Sequence, residues 1–403
     1  MALENNFLAE FPPVSKEEWL QQIAKDLKDR PLEELDWQVE NDLKVSPFAH
    51  ADDFALPPVP LYGEPNNWEI CEEVFATDAV AANRQALEAL EGGAESLCFY
   101  LSTPPDAAFF EQLFDGIHLD FIGLHFAGPG MAQNPGTVLG HLERLSKQKN
   151  IQTQRLRGSL GYDPAASAGI VDWRYLVDLA RYAGERFPGF KLVTVGLDPT
   201  PSPSPTGRGD ATTSAFHSTE HATAPLPVGE GLGVGLTRGN LYLQKLTERG
   251  LSVAEAAGTI QFSMAVGKSY FLEIAKIRAF KLLWLNVLKG WGAPLRLPVM
   301  TVQFQTEAYT DDLYTNMIRA TTMAMSAVLG GADRLTVLPY DAGREEQASY
   351  SPAFGRHIAR NVQHLLKMES FFSETPDPAA GSYYIEQLTQ QLAKRAWAAF
   401  QQA

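Results

Sequence analysis

From Trp68 onward the apolar positions follow two alternating rhythms. Short apolar runs give way to longer segments of helical period, the pattern of repeated β-α units on a parallel sheet. The runs Ser96–Leu101, Phe121–Phe126, Arg155–Leu160, Lys191–Leu197, Thr259–Val266, Pro298–Phe304 and Arg334–Leu338 read as strands, and Glu69–Phe75 supplies an eighth. Helices fall between them, among them Asp78–Leu90, Asp172–Arg186, Asp311–Leu329 and Ala353–Met368. The expected fold is α/β, a (β/α)8 TIM-type barrel; an open doubly wound sheet shares the pattern.

Two stretches depart from that rhythm. Near the N-terminus, Ser15 and Glu18 form a capping box, and Val14 and Trp19 occupy the staple positions. A helix is expected over about Lys16–Lys28 with the stripe Trp19, Leu20, Ile23 and Leu27, followed by a Pro-rich extended run from Pro47 to Pro65. Residues 1–67 therefore read as an arm packed on something else, residues 68–372 as the barrel, and residues 373–403 as a C-terminal helical segment that closes it. Between Pro199 and Gly235 the chain is rich in Pro, Gly, Ser and Thr with few large apolar residues. Such a composition buries too little surface to offset its ordering entropy, so a disordered insertion is expected at 199–235, open to trypsin at Arg208 and just beyond it at Arg238.

The strand faces carry more information than the strand count. In Thr259–Val266, Thr259, Gln261, Ser263 and Ala265 alternate with Ile260, Phe262, Met264 and Val266. Thr301, Gln303 and Gln305 alternate in the same way with Met300, Val302 and Phe304. If the bulky face meets the helices, the polar face lines the barrel. Ordinary barrels fill that space with branched apolar side chains, so a polar lining implies either a ligand or water within, or a core closed by its own hydrogen bonds.

Composition narrows the partners. The formal charge of −15 opposes binding to a phosphate backbone, and nucleic acid is excluded as a partner on that ground. Cys71 and Cys98 are too few for a disulfide framework or a cysteine metal site and fit a reducing compartment as small core residues. The N-terminus has no signal-peptide pattern and no apolar run is long enough to span a bilayer, so a cytoplasmic protein is expected.

Several local patterns resolve into ordinary structure. Gly229, Gly231, Gly233 and Gly235 resemble a dinucleotide loop but follow no strand. His217 and His221 have helical metal-ligand spacing with no third ligand, and no metal site is expected. His357 and His364 share a helix face as partly packed surface residues. The helix after Gly267 is apolar around most of its circumference and is expected to be buried against the sheet and another subunit.

Five segments, taken in order, are similar to methylmalonyl-CoA mutases. They are FPPVSKEEWLQQIAKDLKDRPLEELDW, PNNWEI at Pro65–Ile70, FSMAVGKSYFLEIAKIRAFKLLW at Phe262–Trp284, HIARNVQHLL at His357–Leu366 and DPAAGSYYIEQLTQQLAKRAW at Asp377–Trp397. The PNNWEI motif leans toward the small, non-catalytic subunit of the two-subunit enzymes. The resemblance implies a barrel threaded along its axis by an acyl-CoA, with adenosylcobalamin held by a further domain. That domain's Asp-x-His-x-x-Gly signature is absent from these 403 residues, so no cofactor is expected on this chain alone.

The family's substrate-side positions are also altered. The histidine of a Thr-His-Ser-Gln-Thr strand aligns with Gln303, and only the glutamine two residues on, Gln305, is kept. A Tyr-His pair reads Gly196, Leu197, Asp198; an arginine aligns with Thr259; a Gln-Asn-Asp reads Gly161, Tyr162, Asp163. Gln305, Gln303 and Asp163 are the expected substrate-facing residues, and no catalytic residue is expected. The resemblance implies a heterodimeric partner of a catalytic large subunit. Two alternatives are an acyl-CoA-binding component that borrows a separate cobalamin domain, and a defective relic.

Overall fold

The computed structural model describes residues 12–28, 30–40, 43–132, 134–166, 170–197 and 228–403. A small antiparallel hairpin, β1 (Trp37–Glu40) and β2 (Leu43–Val45), belongs to the arm. The main sheet consists of β3 (Glu69–Phe75), β4 (Ser96–Tyr100), β5 (Gly123–Ala127), β6 (Arg157–Leu160), β7 (Gly189–Lys191), β8 (Val193–Gly196), β9 (Ile260–Val266), β10 (Met300–Phe304) and β11 (Arg334–Thr336). Every neighbouring pair is parallel, in the order β7-β6-β5-β4-β3-β11-β10-β9-β8. The two ends of that order, β7 and β8, are one strand interrupted at Leu192. Its first half pairs with β6 and its second with β9, which closes the ring as a (β/α)8 barrel. The eighth strand expected at Glu69–Phe75 is β3, and the open doubly wound alternative falls.

The helices follow the strands: α2 (Ala79–Glu91), α3 (Ala107–Leu113), α4 (Gly136–Gln148), α5 (Trp173–Arg186), α6 (Val228–Thr247), α7 (Val253–Thr259), α8 (Tyr270–Gly290), α9 (Leu313–Gly330) and α10 (Pro352–His364). Asp78, Asp106, Asp172 and Asp312 start α2, α3, α5 and α9 by accepting backbone N–H groups of the first turn. The bulky strand faces do meet these helices: Phe262 on β9 packs on Phe280 and Trp284 of α8, with ring centroids 4.6 and 4.7 Å apart.

The arm begins with α1 (Lys16–Leu27), whose Ser15–Glu18 capping box forms as expected. None of its residues is fully buried. The arm is tied to the barrel further along, where the Leu61 N–H donates to Asp377 Oδ2 (2.8 Å) and Asn66 Nδ2 to the Val328 carbonyl (3.0 Å). No helix among the described residues is long and apolar enough to cross a membrane.

One expectation is corrected. Residues 228–235, the end of the expected insertion, are the first turns of α6, and Arg238 lies inside that helix; residues 198–227, with Arg208, His217, His221 and Asp198, lie outside the described residues. The glycines are not breakers here, nor a dinucleotide loop. They let α6 lie against α11 (Tyr383–Gln402), where a Cβ at Gly233 would sit 2.7 Å from the Ala399 Cβ and 2.9 Å from the Ala396 carbonyl. Helix propensity alone favours Gly→Ala by about 1 kcal/mol. Gly233→Ala is nonetheless expected to lower the thermal midpoint, because overpacking costs about 1–3 kcal/mol. A raised midpoint would show that the two helices have room to part.

Candidate functional site

Strand alternation decides what the barrel encloses. Residues facing the helices are apolar almost throughout, while the lumen receives Glu69, Cys71, Glu73 and Phe75 from β3, Ser96, Cys98 and Tyr100 from β4, and His125 from β5. The other side contributes Ser159, Gln261, Ser263, Thr301, Gln303 and Arg334. The polar lining read from the sequence is therefore real, and it is divided by depth. Toward the N-terminal ends of the strands Cys71, Ser96, His125, Ser159, Gln261 and Thr301 are buried; toward the C-terminal ends Glu73, Phe75, Cys98, Tyr100, Ser263 and Gln303 are only half-buried. The lumen is a cup, sealed below and wet above.

The seal is a network of ionised and neutral groups. His125 Nε2 lies 3.0 Å from Glu69 Oε2, and His125 Nδ1 lies 2.8 Å from Ser159 Oγ. Arg334 Nη1 contacts both His125 Nδ1 and Ser159 Oγ, and Arg157 Nε donates to Glu69 Oε1 at 3.1 Å. A guanidinium only donates, so His125 Nδ1 must be the acceptor and Nε2 must carry the proton given to Glu69. Burial, and then the Arg334 charge, push the imidazole down to about 4, so it is neutral at pH 7. Burial would raise the Glu69 carboxyl, but the His125 hydrogen bond and the nearby arginines outweigh it and hold it down to about 2. The floor is thus one carboxylate and two guanidiniums bridged by a neutral imidazole and a hydroxyl.

The three sequence-predicted site residues all lie near C-terminal strand ends, but only two come together. Gln303 is on β10, in register with Ala265 of β9 and Thr336 of β11, and faces the lumen. Gln305 follows it, its N–H bonded to the Val266 carbonyl (2.9 Å) and its side chain closing over Gly267, where an added Cβ would be 2.6 Å from Oε1. Asp163 is drawn away toward α6: Oδ2 accepts from Arg238 Nη1 and Oδ1 from the Tyr242 hydroxyl, both at 2.7 Å. Arg238 Nη2 also donates to the Gly196 carbonyl at 2.5 Å, so the guanidinium joins the ends of β6 and β8 to α6.

Thr259 lies at the opposite end of the barrel, before β9, with its hydroxyl donated to the Ala256 carbonyl (2.7 Å). It is six residues below Ala265, the partner of Gln303, or about 20 Å along an extended strand. His357 is bonded to Asn361 (3.0 Å) and His364 to the Gly92 carbonyl (3.3 Å), in keeping with packed surface histidines.

Sequence reasoning missed the floor and Glu73. The Glu69, Glu73 and His125 positions are polar interruptions in strand runs, the one signal that could have marked them. Two hollows of the described surface lie away from the cup, one along α1 beside Leu20 and Ala24, the other beside His364, Lys367 and Phe371.

Comparison with known proteins agrees with these features. The family described as methylmalonyl-CoA mutase matches residues 219–403. The chain is 31% identical to the methylmalonyl-CoA mutase small subunit of Porphyromonas gingivalis, over 99% of this chain and 64% of that protein. It is 30% identical to the small subunit of Streptomyces virginiae, over 98% of this chain and 64% of that protein. With the methylmalonyl-CoA mutase of Rhizobium meliloti the identity is 30%, over 71% of this chain and 38% of that one. The chain thus spans 64% of the length of the first two relatives. The chain belongs to the methylmalonyl-CoA mutase family and resembles its small subunits.

Proposed function

We propose that this barrel is a non-catalytic partner of a large mutase subunit, in a cytoplasmic heterodimer that isomerises methylmalonyl-CoA and succinyl-CoA with adenosylcobalamin. The observation that carries this reading is the closed floor. An acyl-CoA threaded along a barrel axis needs a lumen open at both ends, and here Glu69, His125, Ser159 and Arg334 occupy the axis at one of them. At the upper end Arg238 is paired with Asp163 and Lys276 with Glu273.

The cobalamin is assigned to the partner, and no step of its chemistry to this chain. His125, the lumen's histidine among the described residues, has both ring nitrogens engaged in the floor and none left for a cobalt ion. Tagged chain isolated from its native host is expected to bring down a large mutase subunit in equal amount, with the corrin absorption following that subunit. Recovery of the chain alone, with turnover of methylmalonyl-CoA once a separate cobalamin domain is added, would replace this reading with that of an acyl-CoA-binding component.

A further inference from the structure

The buried and half-buried carboxylates of this fold mostly have cations beside them. Glu69 has Arg157, Glu72 has Arg360, Glu273 has Lys276 and Glu386 has Arg278. Glu73 does not. It projects into the open half of the cup, and no side chain among the described residues bonds its carboxylate. Burial alone raises that carboxyl to about 7, as expected of an acid with no counter-charge.

Its neighbours are aromatic. Phe75 stands two residues further along the same strand face, and Tyr100 is its register partner on β4. Their ring centroids are 5.5 Å apart at 45°, and both rings are half-buried, as is Cys98 opposite Glu73. The remaining lumen neighbours, Cys71 on the same strand, Ser96 and Thr336 on the flanking strands and Gln303 beyond them, carry no charge at neutral pH. Of the ionised groups of the floor, Glu69 lies about 13 Å down the strand, and the Arg334 guanidinium is held on Ser159 and on His125, the register partner of Cys98.

We propose that the open half of the lumen binds a small organic cation, an alkylammonium held by the Glu73 carboxylate and the faces of Phe75 and Tyr100. The chemistry selects this class over its rivals. A metal ion needs several hard or imidazole ligands, and no group of three His, Cys, Asp or Glu that could hold one occurs among the described residues. An anion is repelled by Glu73. A neutral apolar molecule would leave the carboxylate desolvated and unpaired, whereas an ammonium supplies the missing charge and is attracted to the negative ring faces. The site stands whether or not the chain pairs with a large subunit.

The test is calorimetric titration at pH 8 with tetramethylammonium chloride, using the similarly sized neutral alcohol 2,2-dimethylpropanol as reference and sodium chloride to hold ionic strength constant. The cation is expected to bind saturably and about tenfold or more tighter than the alcohol. Glu73→Gln should abolish that preference, and Phe75→Leu and Tyr100→Leu should each weaken the cation severalfold, with circular dichroism confirming that each variant is folded. Equal affinity for the two compounds, no saturable binding of the cation, or a preference that survives Glu73→Gln would overturn the proposal.

Discussion

Arg278→Met is expected to destabilise the protein by about 3–5 kcal/mol, the cost typical of removing one partner from a buried ion pair. Arg278 is 1% exposed on α8, in contact through Nη1 with Asp377 and through Nη2 with Glu386 of α11 at 2.6 Å. Asp377 also receives the Leu61 N–H of the arm, and Glu386 the Gly381 N–H. One guanidinium therefore gathers a helix, a turn, the C-terminal helix and the arm. Without it two carboxylates remain buried side by side with no cation. Thermal unfolding of the variant should show that deficit at neutral pH. A deficit of less than about 1 kcal/mol, the value of an exposed pair, would mean that the cluster is open to water.

The second large effect concerns the ligand that the family's name suggests. Methylmalonyl-CoA is expected to give no saturable heat with this chain at micromolar concentration. Each lost charge-assisted hydrogen bond costs about 1.5–3 kcal/mol, so two lost donors weaken binding by roughly a thousandfold. Gln303 and Gln305 are neutral, Asp163 is committed to α6, and Glu73 opposes an acyl carboxylate. The informative variant combines Gln303→His with Glu73→Gln, which adds an imidazole and removes the repulsion at the same open end. An arginine at Thr259 would not serve, since that residue lies at the other end. Micromolar binding by the unmodified chain would refute the prediction, whereas binding gained only in the double variant would mean that the lumen kept its shape and lost its donors.

Local patterns made much of this structure readable in advance. The two-residue alternation in β9 and β10 told which face meets the helices, because each strand carries that record in its own few residues. The start of α1 was equally local: Ser15 and Glu18 satisfy each other's backbone within one turn. The floor was not readable, because it is assembled from β3, β5, β6 and β11, whose residues become neighbours only when the ring closes. The surroundings of Asp163 were hidden for a related reason. Its position survived from the family motif, but its partner, Arg238, sits on a helix whose glycines suggested a loop when read without α11 beside them.

The closure of the ring also sets an order of assembly. β3 is the first barrel strand made and β11 the last, and they are hydrogen-bonded neighbours, with Arg334 opposite Glu69. The floor contact from Arg334 to His125 spans 209 residues of chain. Long-range pairings of this kind are slow, because the chain entropy is lost before the contacts are gained. Until β11 is synthesised, one edge of β3 has no strand to pair with, and such an edge invites association with other chains. A ribosome stalled short of residue 334 therefore holds a sheet with an open seam.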